Sequence, residues 1–343
     1  MKKKNKEKKT KHKPVSKGRV AARIVSAVLV LAVIACCAVG DWYVHQPREW
    51  LDAHRSFYTA PLWYFGNRTA FITDALGWTG HDAVYDFDEP APSNQVFFAG
   101  APERTGAPAP NDIVVLSRGE FAIGWSPSLR HPVWAAYHVV QDARFDSLKR
   151  PNFQKDRSVA SSPAANDYAR SGYDRGHLVP NRAIVTRYGP DEQEKTFLMT
   201  NIAPQRPALN RGPWRELEQR IADLWTARFG EIWVVVGAVS PTAGRTTLEN
   251  APIDVPQQFY MLIAAQDADG VRALAVLLPQ TAEVDDFPVH GIVTINELEA
   301  ATGLRFFPDM PKFLARPLKA DRPTRLWPIR FRDILKLILL RFT

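Results

Sequence analysis

Ser171-Gly172-Tyr173-Asp174-Arg175-Gly176-His177-Leu178-Val179-Pro180-Asn181 is the stretch on which the reading of this chain turns. It sets one histidine behind an acid, a base and a glycine, with neither helical nor strand periodicity. Gly172 and Gly176 supply backbone freedom and Pro180 a stiff exit, the make-up of a shaped loop rather than a core element. Downstream come Asn201-Ile202-Ala203-Pro204-Gln205 and then Asn210-Arg211-Gly212-Pro213-Trp214-Arg215-Glu216-Leu217-Glu218. His177 and Asn210 are read as two halves of one site.

Singly, each residue has an ordinary explanation. A lone histidine is most often structural, an asparagine ahead of a helix is by default a cap, and a helical glutamate is by default solvated. Trp214 and Leu217 are core residues. The set in this order suggests more. Hydrolysis of a phosphodiester needs an activated water and compensation for charge gathering on the phosphate and the leaving oxygen. A histidine near its ordinary pKa of ~6.5 takes a proton from water at neutral pH, provided its other ring nitrogen is held by an acceptor. Mg²⁺ binds mainly through waters and a few oxygen ligands, and a neutral amide such as Asn210 leaves the full cationic charge for substrate. Glu218, about two helical turns beyond Asn210, is placed to hold a metal-bound water. Arginines grip phosphate oxygens with planar forks.

Outward from this stretch the chain divides by composition. Its 343 residues carry a net charge of +8, but residues 1–23 alone sum to +10 and residues 314–343 to +6, which leaves residues 24–313 at −8. The basic character belongs to the ends, so bulk charge gives no ground for a polyanion-binding middle. The length allows one large domain or two small ones with appendages. Cys36 and Cys37 both lie in an apolar run, and a domain without cysteine suits either redox compartment.

Residues 1–23 read as a solvated cytoplasmic tail. Residues 24–44 read as a single transmembrane anchor, with Arg19 and Arg23 before it and Trp42 and Tyr43 at its far end. That asymmetry keeps the N-terminus cytoplasmic and puts the rest outside the membrane. A cleaved signal peptide, or a lipoprotein box at Val33-Ile34-Ala35-Cys36 that leaves Cys36 lipidated, are the alternatives. Residues 45–94 form an aromatic-rich juxtamembrane region and linker, and residues 95–313 the domain that carries the chemistry. Residues 314–343 read as a basic amphipathic tail, placed either on a membrane surface or against Trp50 and its neighbours. Within the domain, residues 113–125 and 133–140 are expected as hairpin strands, and residues 232–239, 259–265 and 271–278 as buried strands. A helix is expected from Pro213 to about Phe229, with Asn210 or Gly212 as its cap, and a shorter one from Thr294 that Gly303 ends.

Together these residues resemble the DNA/RNA non-specific endonuclease family, the ββα-metal nucleases that include mitochondrial endonuclease G and secreted bacterial nucleases. The family's Asp-Arg-Gly-His is met by Asp174 to His177, and its Ser/Thr-Asn-(Ile/Val)-x-Pro-Gln by Thr200 to Gln205. Its Leu-Asn-x-x-x-Trp-x-x-Leu-Glu is met by Leu209, Asn210, Trp214, Leu217 and Glu218. Pro132 to Tyr137 look like the family's opening strands, and Leu298 to Phe307 like its closing segment. The resemblance covers about residues 95–313. It implies an α+β, ββα-metal nuclease fold, a central mainly antiparallel sheet flanked by helices, here preceded by one N-terminal transmembrane helix.

Carried over by position, the resemblance makes His177 the general base, Asn210 the direct Mg²⁺ (or Mn²⁺) ligand and Glu218 the holder of a metal-bound water. It places Arg175 and Arg150 on the phosphate, with Arg150 stabilising the transition state, and Asn201 in support of the site among its substrate-binding residues. Asp174 holds the loop. Many members carry an arginine four residues after the glutamate, whereas this chain has Ala222 there, leaving Arg220 or Arg215 to take its part. The expected activity is that of a membrane-anchored, Mg²⁺-dependent, sugar-nonspecific endonuclease. Its expected partners are DNA and RNA, the membrane, and a second copy in a homodimer. A phosphodiesterase for small or lipid-linked substrates, and a non-catalytic nucleic-acid-binding module, are the competing readings.

Overall fold

The computed structural model describes residues 81–82, 84–85, 91–146, 149–329 and 333, with isolated positions between 25 and 53. The tail 1–23, most of the apolar run 24–44 and most of residues 330–343 lie outside the described residues, and with them the anchor and the C-terminal amphipathic helix. Among the described residues no helix is long and apolar enough to cross a membrane.

β1 (Val84–Tyr85) and β2 (Glu103–Arg104) are short pairings. β3 (Val114–Ser117), β4 (Phe121–Ser126) and β5 (His131–Val140) form an antiparallel meander. β6 (Asp174–His177) pairs antiparallel with β7 (Ile202–Gln205) away from the main sheet. β8 (Glu231–Val239) follows, then the small hairpin of β9 (Thr247–Leu248) and β10 (Ala251–Asp254). β11 (Gln258–Asp267) and β12 (Gly270–Pro279) are the long central strands. β13 (Ile292–Val293) joins β12, and β14 (Leu304–Arg305) pairs with β2. The main sheet runs β1-β12-β11-β8-β5-β4-β3, antiparallel throughout.

The central strands read as continuous apolar runs because both faces of the sheet are covered. Successive side chains point to opposite faces. Val234, Val236, Met261, Ile263, Leu274 and Val276 enter one core, while Trp233, Val235, Leu262, Ala264, Ala273 and Ala275 enter another. The first core is closed by α1 (Asn181–Tyr188) and by the helical limb of α3 (Pro207–Arg211), α4 (Pro213–Gln219), a π-turn (Arg220–Trp225) and α5 (Thr226–Phe229). The seven-residue α2 (Pro190–Thr196) follows α1 in the chain. The second core is closed by α6 (Ile295–Thr302), α7 (Lys312–Ala320) and segments around Phe98 and Phe306.

The structure redraws four local expectations. Residues 113–125 are two strands, not one: Arg118, Gly119 and Glu120 turn the chain, with Gly119 at φ +84° and the Arg118 N–H donating to the Phe121 carbonyl at 2.9 Å. Glycine reaches that backbone region without the clash a Cβ would bring. The Asp174–His177 stretch is a strand rather than a loop; four residues are too few to show alternation, and pairing with β7 defines them. The helix beyond Pro213 does reach Phe229, but with a π-turn inside it. Asn210 is no cap: it lies within α3, and its N–H donates to the Arg206 carbonyl at 3.0 Å. Helix α6 forms as expected, with reciprocal bonds between Thr294 and Glu297 at its start and Gly303 left-handed at its end.

Chain packing extends past residues 95–313. β1 covers the β12 edge, His81 and Tyr85 bond Asp321, and Asp82 pairs with Arg325. Trp327 is fully enclosed against Trp225 and Phe229, at ring distances of 5.4 and 5.2 Å.

Candidate active site

A cavity of about 710 Å³ opens where β6, α1 and the α3–α4 limb converge, and His177, Asn210, Glu218, Arg150 and Arg175 all line it. The two halves of the sequence reading meet there.

His177 ends β6. Gly176 before it has no room for a side chain, since a Cβ there would lie 2.0 Å from Gln205 Oε1. The imidazole is buried, with Phe197 edge-on at 4.8 Å and Phe153 at 5.2 Å. Its Nε2 is enclosed without a hydrogen-bond partner, which leaves Nδ1 as the nitrogen open to the cavity. Burial, then the charge of Arg150, pushes the imidazolium down to a pKa of about 3. The ring is therefore neutral at physiological pH and offers a lone pair. Two expectations are corrected: its value lies well below 6.5 because of burial, and no acceptor among the described residues holds Nε2, so ring packing rather than a hydrogen bond orients it.

Asn201 fixes the backbone that follows. It is fully buried; its Oδ1 accepts from the Val179 N–H at 2.9 Å, and its Nδ2 donates to the carbonyls of Val179 and Thr196 at 3.0 and 2.9 Å. Both amide hydrogens and one oxygen lone pair are used within the protein, and the side chain does not line the cavity. Asn201 is a positioning residue, and its expected place among substrate-binding residues is corrected.

Asp174 opens β6 and ties the two limbs together. It accepts from Arg211 Nε and NH2 at 2.9 and 2.7 Å, and from Asn210 Nδ2 at 2.9 Å. Desolvation works to raise its carboxyl pKa, but the bonds from Arg211 and Asn210, with the charges of Arg211 and Arg175, outweigh it and leave the group below the usual value. Because the Asn210 amide nitrogen is committed to Asp174, the amide oxygen is the end left for a cation.

Glu218 sits on the last turn of α4. Burial pushes its carboxyl up to about 8, against the pull of Arg150, the Trp214 indole and Arg215. Among the described residues no group of three or more histidine, cysteine or acidic side chains could hold a metal. The donors on the cavity are hard oxygens, few in number, which fits a hydrated divalent cation such as Mg²⁺ or Mn²⁺ better than a thiolate- or imidazole-seeking metal.

The arginines divide into three groups. Arg175 lies over the Phe153 ring at 5.0 Å and Arg150 over Phe197 at 6.0 Å, both on the cavity. Arg215 lines it as well, whereas Arg220 does not: it is buried and bonded to Glu216 Oε1 at 3.1 and 2.9 Å. The expectation that Arg220 binds substrate is corrected, because the helix turns it into the protein. Ala222 is buried too, under Arg187, so an arginine at 222 would enter the core rather than the cavity. Two cavity arginines escaped the sequence reading, Arg182 and Arg211, each held by an acid from a distant segment. Arg150, Arg175, Arg182, Arg211 and Arg215 against Asp174 and Glu218 give the lining a surplus of positive charge on a body that is acidic by composition.

The sequence profile of the DNA/RNA non-specific endonucleases matches residues 99–313. Mitochondrial nuclease EXOG of Xenopus laevis is 29% identical over 208 residues, covering 56% of this chain and 57% of its own length. Mitochondrial endonuclease G of Bos taurus is 30% identical over 243 residues, covering 62% of this chain and 79% of its own. A chain from the crystal structure of the EndoG/EndoGI complex superposes with a TM-score of 0.51 at 25% identity, over 58% of this chain and 87% of that one. With profile, relatives and sheet architecture agreeing over the region that builds the cavity, the chain belongs to the DNA/RNA non-specific endonuclease family.

Proposed function

We propose that the protein is a divalent-cation-dependent, sugar-nonspecific endonuclease that hydrolyses phosphodiester bonds of DNA and RNA. The observation that carries this reading is the convergence of His177, Asn210 and Glu218 with five arginines on one cavity. His177 Nδ1, neutral at working pH, takes the proton of the attacking water, and the aromatic packing of Phe153 and Phe197 keeps the ring in place. Asn210 would hold Mg²⁺ (or Mn²⁺) through its amide oxygen, and Glu218 would support the ion through water. When bound, the cation supplies positive charge against the phosphate and the leaving oxygen. Arg150 and Arg175 grip the phosphate oxygens, whose developing charge they offset. Recognition through phosphate oxygens, without reading bases or sugar, makes the activity indifferent to DNA or RNA.

The apolar run 24–44, free of charge from Ile24 to Gly40, and its basic N-terminal flank support a tether that leaves this domain outside the membrane. Assembly as a homodimer belongs to the same proposal, and sedimentation of the detergent-purified chain reads it directly.

Degradation of plasmid DNA and of RNA with Mg²⁺ tests the chemistry, with His177→Ala and Asn210→Ala alongside. The expected loss is about 10²–10⁴-fold for His177→Ala, and Asn210→Ala should need far more Mg²⁺ to reach half-activity. Equal activity of wild type and His177→Ala would remove the base from the mechanism. Cleavage confined to small phosphodiesters would favour a different substrate class.

A further inference from the structure

The π-turn of Arg220–Trp225 is where α1, the helix that follows strand β6 and His177, is bolted to the limb that carries Asn210 and Glu218. A π-turn shifts hydrogen bonding to i+5 and leaves carbonyls in need of other donors. The Ala222 carbonyl takes one bond from Thr226 Oγ1 at 2.9 Å and another from Arg187, an arginine buried on α1. At the neighbouring residue, Asp223, a second and more exposed α1 arginine is engaged. Arg182 Nε donates to Asp223 Oδ2 at 2.9 Å and its NH2 to Oδ1 at 3.0 Å.

That contact engages one side of the guanidinium. Both hydrogens of NH1 and one of NH2 remain, a fork that matches two phosphate oxygens. Arg182 is 51% exposed while Asp223 is only 19% exposed, so the acid acts as a fixed seat and the arginine as the exposed group. Arg182 also lines the cavity, at the second residue of α1 and five residues past His177. The bond from Asp223 keeps it fully charged. Arg220 is enclosed and Ala222 faces the core, so the helical limb itself sends no arginine to this side of the cavity beyond the π-turn.

Resting on the nuclease reading, we propose that Arg182 is a substrate-binding residue that grips a phosphodiester oxygen of the strand beside the scissile bond, with Asp223 as its positioning residue. The contact is electrostatic and blind to sequence, so it serves DNA and RNA alike.

The test measures binding, not turnover, in the full chain carrying His177→Ala, with a fluorescent single-stranded oligonucleotide titrated at several salt concentrations. Adding Arg182→Gln should weaken binding about tenfold and make the salt dependence shallower by about 0.7 in logarithmic slope, the loss of one single-strand phosphate contact. Adding Asp223→Asn instead keeps the Arg182 guanidinium and its phosphate contact, so the slope should not become shallower, while affinity falls by less. A melting curve on each variant reports folding separately. Arg182→Gln with the parent's affinity and slope, whatever its melting temperature, overturns the proposal. Asp223→Asn with unchanged affinity removes the positioning role. A His177→Ala parent that binds no strand at all defeats the nuclease reading itself, an outcome distinct from either.

Discussion

His177 and Glu218 share one cavity but are displaced in opposite directions, and the protein without metal carries the signature of both. The His177 value falls from 6.5 to about 3 through burial and Arg150. On acidification the unfolded chain takes up that proton first, so this residue's share of stability is present above 6.5 and lost toward 3. Glu218 rises from 4.5 to about 8 through burial, so the folded protein holds its proton longer. Its share is present below 4.5 and lost as pH climbs to 8. Glu218→Gln should therefore stabilise the metal-free protein more at about pH 8 than at about pH 5, and His177→Gln the reverse. Urea midpoints at the two pH values decide it, and parallel curves for wild type and variants would refute both assignments. At this scale the sequence made the reacting residues legible because His177, Asn210 and Glu218 sit in local patterns with fixed spacing. Arg182 and Arg211 were not legible: each gains its place from an acid 41 or 37 positions away, and no local pattern encodes that pairing.

Among the elements, legibility follows how local the determining contacts are. Helix α6 could be read from its ends, since Thr294, Glu297 and Gly303 carry the start and stop signals within the segment itself. Thr294→Ala should cost about 1 kcal/mol of stability by removing the oxygen that accepts from the Glu297 N–H. An unchanged thermal midpoint would mean that the capping bond contributes nothing. The π-turn was not legible, because the partners of its carbonyls are not all local: Arg187, on α1, bonds the Ala222 carbonyl and reaches the Val140 carbonyl at 3.0 Å. The β6 strand was hidden for a similar reason. Its identity as a strand comes from Ile202–Gln205, beyond the reach of a periodicity count. β6 lines the cavity and the π-turn follows directly on Gln219, the limb's last cavity residue, so local preference yields beside the site.

For the molecule as a whole, composition misdirected the reading twice, and for the same reason. Charge summed along the chain said that residues 24–313 are acidic, yet folding gathers five arginines of that region on one cavity. Charge also marked residues 314–343 as a tail, yet Leu318, Leu326, Trp327 and Ile329 are buried. Trp327 fills the space beside Trp225 and Phe229, and its carbonyl accepts the Trp225 indole N–H at 2.8 Å. Trp225 ends the π-turn, so this plug braces the limb carrying Glu218 from behind. Trp327→Ala should destabilise the protein by about 3–5 kcal/mol, the usual cost of emptying a buried aromatic site. The loss should appear in the denaturation midpoint, while nuclease activity per folded molecule stays near wild type, because Trp327 is absent from the cavity lining. A variant with wild-type stability would show that the segment past residue 313 is dispensable. If instead activity fell without loss of stability, Trp327 would act on the catalytic geometry rather than on the fold.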